Sequence, residues 1–187
     1  MENPIAIVFA SWHGQAEKIA RRIADVVYLH GVPTTILDVR RAPVDTLALD
    51  RSYGIIVVAS VHFGHHPRAL VEFARRKLTS LSSQPTAFVS VSGAAAALQG
   101  DAEAQRYIRD FVVKTGWNPD VTLSVAGAVP YSKYGVLTRM IMKFAARVSG
   151  RDSDTSRDYE YTNWFAVEDF ARGFLAQYST EKKRGTA

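Results

Sequence analysis

Cysteine is absent from the 187-residue chain. That excludes disulfides, thiolate metal sites and any cysteinyl link to a cofactor, and it fits a reducing compartment. No apolar run has the length of a membrane span, and the opening Met1-Glu2-Asn3-Pro4 lacks the positive region of a secretory signal. Low-complexity tracts, solenoid repeats and linker-like composition breaks are lacking too. With 47% hydrophobic residues, the chain is long enough for one domain with a full core, expected over residues 1–178, followed by a polar tail at 179–187. Acidic residues are in deficit: 18 Asp and Glu stand against 23 Lys and Arg, giving a formal charge of +5. The pI near 9.6 points to an anionic partner: nucleic acid, anionic lipid or an acidic substrate.

The chain is organised around residues 5–20, IAIVFASWHGQAEKIA. This reads as a buried strand, a tight turn (Ser11, Trp12, His13, Gly14, Gln15) and a helix opening at Gln15 or Ala16. Such a turn aims free backbone N–H groups and the positive end of a helix dipole at one spot, which suits a phosphate. Helical spacing of Ile19, Ile23 and Val27 carries the helix to Gly31. Further strands are expected at 34–39, 54–60, 86–91 and 121–127, with helices at 67–81, 101–115 and 163–178. The run GIIVVAS at 54–60 is continuously apolar, as a strand covered on both faces must be.

Strands alternating with helices imply a parallel sheet between helical layers. Five strands in this rhythm favour the flavodoxin-like three-layer order 2-1-3-4-5, with a basic insertion at 131–160 between the fifth strand and the last helix. In that fold FMN binds at the switch point between strands 1 and 3. Loops of suitable type follow strands 1, 3 and 4 at one sheet edge: Ser11 to Ala16; Ser60, Val61, His62, Phe63 and Gly64; and Ser92, Gly93 and Ala94. The first would hold phosphate, and the other two would flank a flat ring, with Gly64 and Gly93 allowing close backbone approach. A phosphoacceptor receiver would need an acidic cluster after strand 1 and an Asp ending strand 3, where this chain has Ser11-Trp12 and Ala59-Ser60. A dinucleotide fingerprint needs more than the one glycine of the first turn.

His62, His65 and His66 resemble a metal set on paper, but no carboxylate or Cys adjoins them, and no metal is expected. A hydrogen bond to flavin or a substrate proton transfer suits such histidines better, with His62 and His65 the catalytic candidates. Trp12 and Phe63 can be ordinary aromatics or contacts to a ring ligand. Residues 131–151 hold Lys133, Arg139, Lys143, Arg147 and Arg151 with no acidic residue, so this stretch alone matches the net charge. Arg139, Lys143 and Arg147 recur every fourth position, on one face of a helix. Such a face is either simply solvated or rests on anionic lipid. Nucleic acid is disfavoured, since no base-stacking platform interleaves these cations.

Several segments carry a resemblance to a known family. Gly14-Gln15 with AEKIA, Tyr53 with ASVHFGHH at 59–66, residues 88–91, and above all AGAVPYSKYGVLTRMIMKFAARVSGRDSDTSRDYEYTNW at 126–164 resemble the menaquinone-dependent protoporphyrinogen IX dehydrogenase family. The resemblance implies FMN-dependent oxidation of protoporphyrinogen IX to protoporphyrin IX, in three two-electron steps, within haem biosynthesis. Menaquinone or another quinone would be the acceptor. It also implies a cytoplasmic protein associated peripherally with the inner face of the cell membrane, with Lys133, Arg139, Lys143 and Arg147 meeting substrate propionates or lipid. A homo-oligomer is compatible with the sequence. Two positions depart from the family pattern: Ala16 stands where a Thr usually ends the phosphate loop, and His62 where an Arg is usual. The alternatives are a flavodoxin-type electron carrier, which is usually acidic, and an NAD(P)H:quinone reductase, for whose nicotinamide no motif is present.

Overall fold

The computed structural model describes residues 3–41, 49–96, 100–129 and 159–185. Its centre is a parallel sheet of β1 (Ile5–Ala10), β2 (Thr34–Asp38), β3 (Gly54–Ser60), β4 (Thr86–Ser92) and β5 (Val121–Ala126), in the order β2-β1-β3-β4-β5. This is the expected topology. Ile7 lies between Ile36 and Ile56 across the first three strands, and Val57 pairs with Phe88.

Period-two alternation splits the apolar strands between two cores. Ile5, Ile7, Phe9, Ile56 and Val58 face helix α1 (Gln15–Leu29) and helix α5 (Trp164–Gly185), which present Ile19, Ile23, Val27, Val167, Ala171 and Phe174. Ala6, Val8, Ile55, Val57 and Phe88 face helix α2 (Arg68–Arg76) and helix α4 (Asp101–Thr115), with Leu70, Phe73, Ile108 and Phe111. Trp117, just before β5, is fully buried on this second side, and its indole N–H donates to the Thr86 hydroxyl at 3.3 Å. Both faces of β1, β3 and β4 are therefore dry, which is why β1 and most of β3 read as apolar runs, while β4 also buries Thr86, Ser90 and Ser92.

The elements differ from expectation in four places. The helix predicted over 67–81 is two: α2 ends at Arg76, Lys77 interrupts it, and α3 (Leu78–Ser82) follows with Leu81 in the core. The final helix runs to Gly185 rather than fraying after 178, because Glu181, Lys182 and Lys183 are good helix formers. Trp164, expected inward, is only partly buried at its start. Within the predicted insertion, Tyr159–Glu160 forms a strand, β7, that pairs antiparallel with β6 (Ala128–Val129). Lys133, Arg139, Lys143, Arg147 and the helix expected through them lie outside the described residues.

Candidate functional site at the carboxyl edge of the sheet

The loops after β1, β3 and β4 meet at the carboxyl edge of the sheet. Loop 1, residues 11–14, is shaped by Gly14, whose φ of +96° lies in the left-handed region. A side chain there is strained, and glycine is free of that penalty. Ser11 Oγ accepts the Gly14 N–H at 2.9 Å, so Ser11 closes the turn rather than capping the helix. The first intrahelical bond runs from Lys18 N–H to the Gly14 carbonyl at 3.0 Å. The N–H groups of Gln15, Ala16 and Glu17 therefore have no intrahelical acceptor, at the positive end of a helix of 15 residues. A concavity of about 340 Å³ opens beside them, lined by Ser11, Trp12, His13, Gly14, Arg40 and Arg41 among others.

Two side chains expected at the phosphate are placed elsewhere. Gln15 is buried, and its amide donates to Thr162 Oγ1 at 2.8 Å and to Glu160 Oε1 at 3.2 Å. Thr162 Oγ1 in turn donates to the Ala126 carbonyl at 2.9 Å. Gln15 thus ties the start of α1 to the returning chain instead of facing the cradle. Ala16 is fully buried in the core, so only its backbone N–H remains for a ligand. A Thr hydroxyl at that position would have to displace core packing.

The loop after β3 is a tight hairpin. His62 and His65 exchange backbone bonds, His62 N–H to the His65 carbonyl at 2.9 Å and the reverse at 3.1 Å. The central residues Phe63 and Gly64 have φ of +48° and +79°, the positive pair a type I′ turn requires. Gly64 suits this; Phe63 is the one non-glycine residue with positive φ among the described residues, and its side chain is 81% exposed. Under the turn lies Tyr107, whose hydroxyl donates to Glu103; burial and that carboxylate hold the phenol above its ordinary pKa.

Loop 1 and the loop after β3 (loop 3) meet at Ser60. Trp12 N–H donates to Ser60 Oγ at 3.3 Å, and Ser60 Oγ reaches the Ala10 carbonyl at 3.4 Å. The His62 ring lies 5.7 Å from Trp12, 5.3 Å from His13 and 4.3 Å from Phe63, centre to centre. The loop after β3 is tied to the end of β4 by Val61 N–H to the Val91 carbonyl at 2.7 Å. Ser92 and Ala94 are buried, and Ser92 Oγ accepts the Ala95 N–H at 3.3 Å, leaving Gly93 exposed at the rim.

The histidines do not converge. His66 turns inward, its ring against Phe88 and Phe111 and its Nε2 3.1 Å from Ser90 Oγ. Burial there, with Lys114 and His65 nearby, lowers its pKa to about 3, so it is neutral and structural. His62 sits among the loop aromatics, and His65 closes the hairpin. Arg40 is absent from the sequence-based expectations, yet its guanidinium reaches the Ser11 carbonyl and covers Trp12. The available signal was positional: an Asp38-x-Arg40 turn ending strand 2, at the sheet edge that holds loop 1.

Parallel order 2-1-3-4-5 with these loops defines a flavodoxin-like protein. The family model described as Flavodoxin domain matches residues 6–156. Among solved structures, oxidised flavodoxin 1 from Bacillus cereus superposes with a TM-score of 0.55 over 92% of this chain and 97% of that one, at 16% identity, a likeness of fold. Protoporphyrinogen IX dehydrogenase (quinone) of Escherichia coli strain K12 is 30% identical over 167 residues, 89% of this chain and 91% of that protein. The protein of the same name from Leishmania major is 29% identical over 161 residues, 86% of this chain and 68% of that one. The chain belongs to the flavodoxin-domain family, and within it to the quinone-dependent protoporphyrinogen IX dehydrogenases, a family of oxidoreductases.

Proposed function

We propose that this protein oxidises protoporphyrinogen IX to protoporphyrin IX, holds FMN noncovalently in the cradle, and passes the electrons to a quinone, menaquinone in its physiological setting. The supporting observation is the 30% identity, spanning nine-tenths of both chains, to a protein named protoporphyrinogen IX dehydrogenase (quinone). The cradle fits the cofactor. Unpaired N–H groups of Gln15, Ala16 and Glu17 beside a left-handed Gly14 suit a phosphate dianion. The hairpin and Gly93 lie where a flat ring would be flanked.

FMN, when bound, supplies reversible two-electron chemistry. The chain's own residues bind and orient. Ser11 and Gly14 set the phosphate turn, and Ser60 holds the Trp12 amide so that loops 1 and 3 keep their spacing. Phe63 and Trp12, 81% and 48% exposed, offer apolar surface to a macrocycle or quinone ring at the edge of the site. His62 and His65 are the proton-transfer candidates, being at the hairpin and outside the core. The basic stretch with Lys133, Arg139, Lys143 and Arg147 serves the propionates or an anionic inner membrane face, which would bring the enzyme to a lipid-dissolved acceptor. The reading places the protein in haem biosynthesis, in the cytoplasm at the membrane surface. Among the described residues no helix is long and apolar enough to cross a membrane.

Anaerobic reconstitution with FMN tests the reading. Protoporphyrinogen should bleach the flavin, and a menaquinone analogue should restore its colour much faster than oxygen does. A carrier protein as the fastest oxidant would favour the flavodoxin-type carrier instead. Gly14→Leu should abolish FMN binding, since it strains the turn and fills the cradle; full occupancy in that variant would put the cofactor elsewhere.

A further inference from the structure

We propose that Arg40 is a positioning residue of the cofactor cradle: it fixes the Ser11–Trp12 peptide and the Trp12 indole, and thereby the aim of the phosphate loop. The proposal rests on the FMN reading above. It starts from how Arg40 is held. β2 ends at Asp38, whose Oδ1 accepts the Arg40 N–H at 2.9 Å. The Val39 N–H continues the sheet by donating to the Phe9 carbonyl at 3.1 Å, and Val39 is buried. The Arg40 backbone is therefore set by the end of the sheet, and its exposed side chain lies back over loop 1.

There it makes two contacts. Its Nη1 donates to the Ser11 carbonyl, and its guanidinium carbon lies 4.3 Å from the centre of the Trp12 ring. The first contact has a geometric consequence. In a trans peptide the C=O and the next N–H point in opposite directions. With the Ser11 carbonyl held by Arg40, the Trp12 N–H must point away from it, and there it meets Ser60 Oγ. One peptide plane is thus gripped from both sides, by the end of β2 and by the end of β3. The peptides that follow lead to Gly14 and the free N–H groups of α1, so their aim is inherited from this plane.

The second contact fixes the indole. Trp12 is half-exposed, and an exposed aromatic with no neighbour samples several rotamers. Here it is covered by Arg40, and the His62 ring is its second neighbour, 5.7 Å away centre to centre. A planar guanidinium can stack on the ring and donate in its own plane at once; an ammonium cannot do both.

The test labels the protein with 5-fluorotryptophan, which reports Trp12, Trp117 and Trp164 separately, and assigns the Trp12 line with Trp12→Phe. Arg40→Gln should shift and broaden the Trp12 line while leaving the Trp117 and Trp164 lines and the melting temperature in place. It should weaken FMN by about tenfold, the low end of what one charge-assisted hydrogen bond is worth. Arg40→Lys, which keeps the charge without the fork, should restore neither. An unmoved Trp12 line in Arg40→Gln overturns the proposal, and so does full rescue by Lys, which would make charge alone sufficient. If the parent protein fails to bind FMN, the cofactor reading falls, and the fluorine line still decides whether Arg40 positions Trp12.

Discussion

Phe63 holds a backbone conformation that costs an L-residue on the order of 1–2 kcal/mol, and it does so with its ring in solvent. Among the described residues its one ring contact is with the neighbouring His62. Phe63→Asn should therefore raise stability by about 0.5–1 kcal/mol, since Asn tolerates the left-handed region. The same change should lower porphyrinogen turnover if the exposed ring meets substrate. Urea midpoints and turnover measured together check both halves; a destabilised Asn variant would show that the ring has a packing role. His66 makes the opposite kind of prediction. Its folded pKa of about 3 lies below the ordinary value of 6.5, so the folded state favours the neutral ring. The stability it contributes is complete above pH 6.5 and is lost as pH falls from there towards 3, at up to about 1.4 kcal/mol per pH unit. His66→Gln keeps a polar partner for Ser90 and removes the titration. Its unfolding free energy should change less than the parent's between pH 6.5 and 5, above the carboxylate range. Parallel pH profiles for the two proteins would place the His66 ring in water. Neither residue could be ranked from sequence: the run His62 to His66 shows three histidines alike, and only the fold sends one of them into the core.

At the scale of elements, most of the architecture was legible. Buried parallel strands leave a largely apolar signature, and α1 and α4 leave one of period 3.6, so the sheet order and these two 15-residue helices followed from pattern. What pattern could not reveal is the short arm. β6 and β7 have two residues each, too few for any periodicity, and their pairing is fixed by contacts 30 to 36 positions apart. The Gln15 amide is the clearest case: a polar residue in the phosphate turn reads as a ligand contact, and the fold uses it as a tether to Glu160 and Thr162. Gln15→Leu should remove two hydrogen bonds and cost about 1–3 kcal/mol locally. Hydrogen exchange should quicken at the Tyr161 amide, which bonds the Gly127 carbonyl, while core amides such as Val57 stay protected. Unchanged exchange at Tyr161 would mean the arm stands without the tether. Arg40 was illegible for a related reason: its role depends on the neighbourhood of β2 and loop 1, which only the sheet order creates.

For the whole molecule, the charge is uneven in sequence. The stretch 131–151 carries five basic residues and no acidic one, equal to the net charge of the protein. On the described domain, by contrast, basic residues sit beside acids. Arg21 pairs with Glu17 at 2.9 Å, and Arg22 and Arg172 both hold Glu168, which keeps that carboxyl below its usual range. Changing Arg139, Lys143 and Arg147 together to Gln should weaken binding to anionic vesicles and slow turnover with lipid-embedded quinone. Fold, FMN content and turnover with a short-chain soluble quinone should persist. Undiminished vesicle binding would remove the membrane role; loss with every acceptor would assign these cations to the propionates. The two halves of this picture meet at one residue. Gln15 offers its backbone to the cradle and its side chain to the chain returning at Glu160 and Thr162. Sites that share a residue in this way are thermodynamically linked, and linkage is reciprocal. If docking of the arm sharpens the grip on the cofactor by some factor, then cofactor must hold the arm down by that same factor. The flavin would then be a clasp for the short β6–β7 arm, and an enzyme stripped of it would let go at both ends.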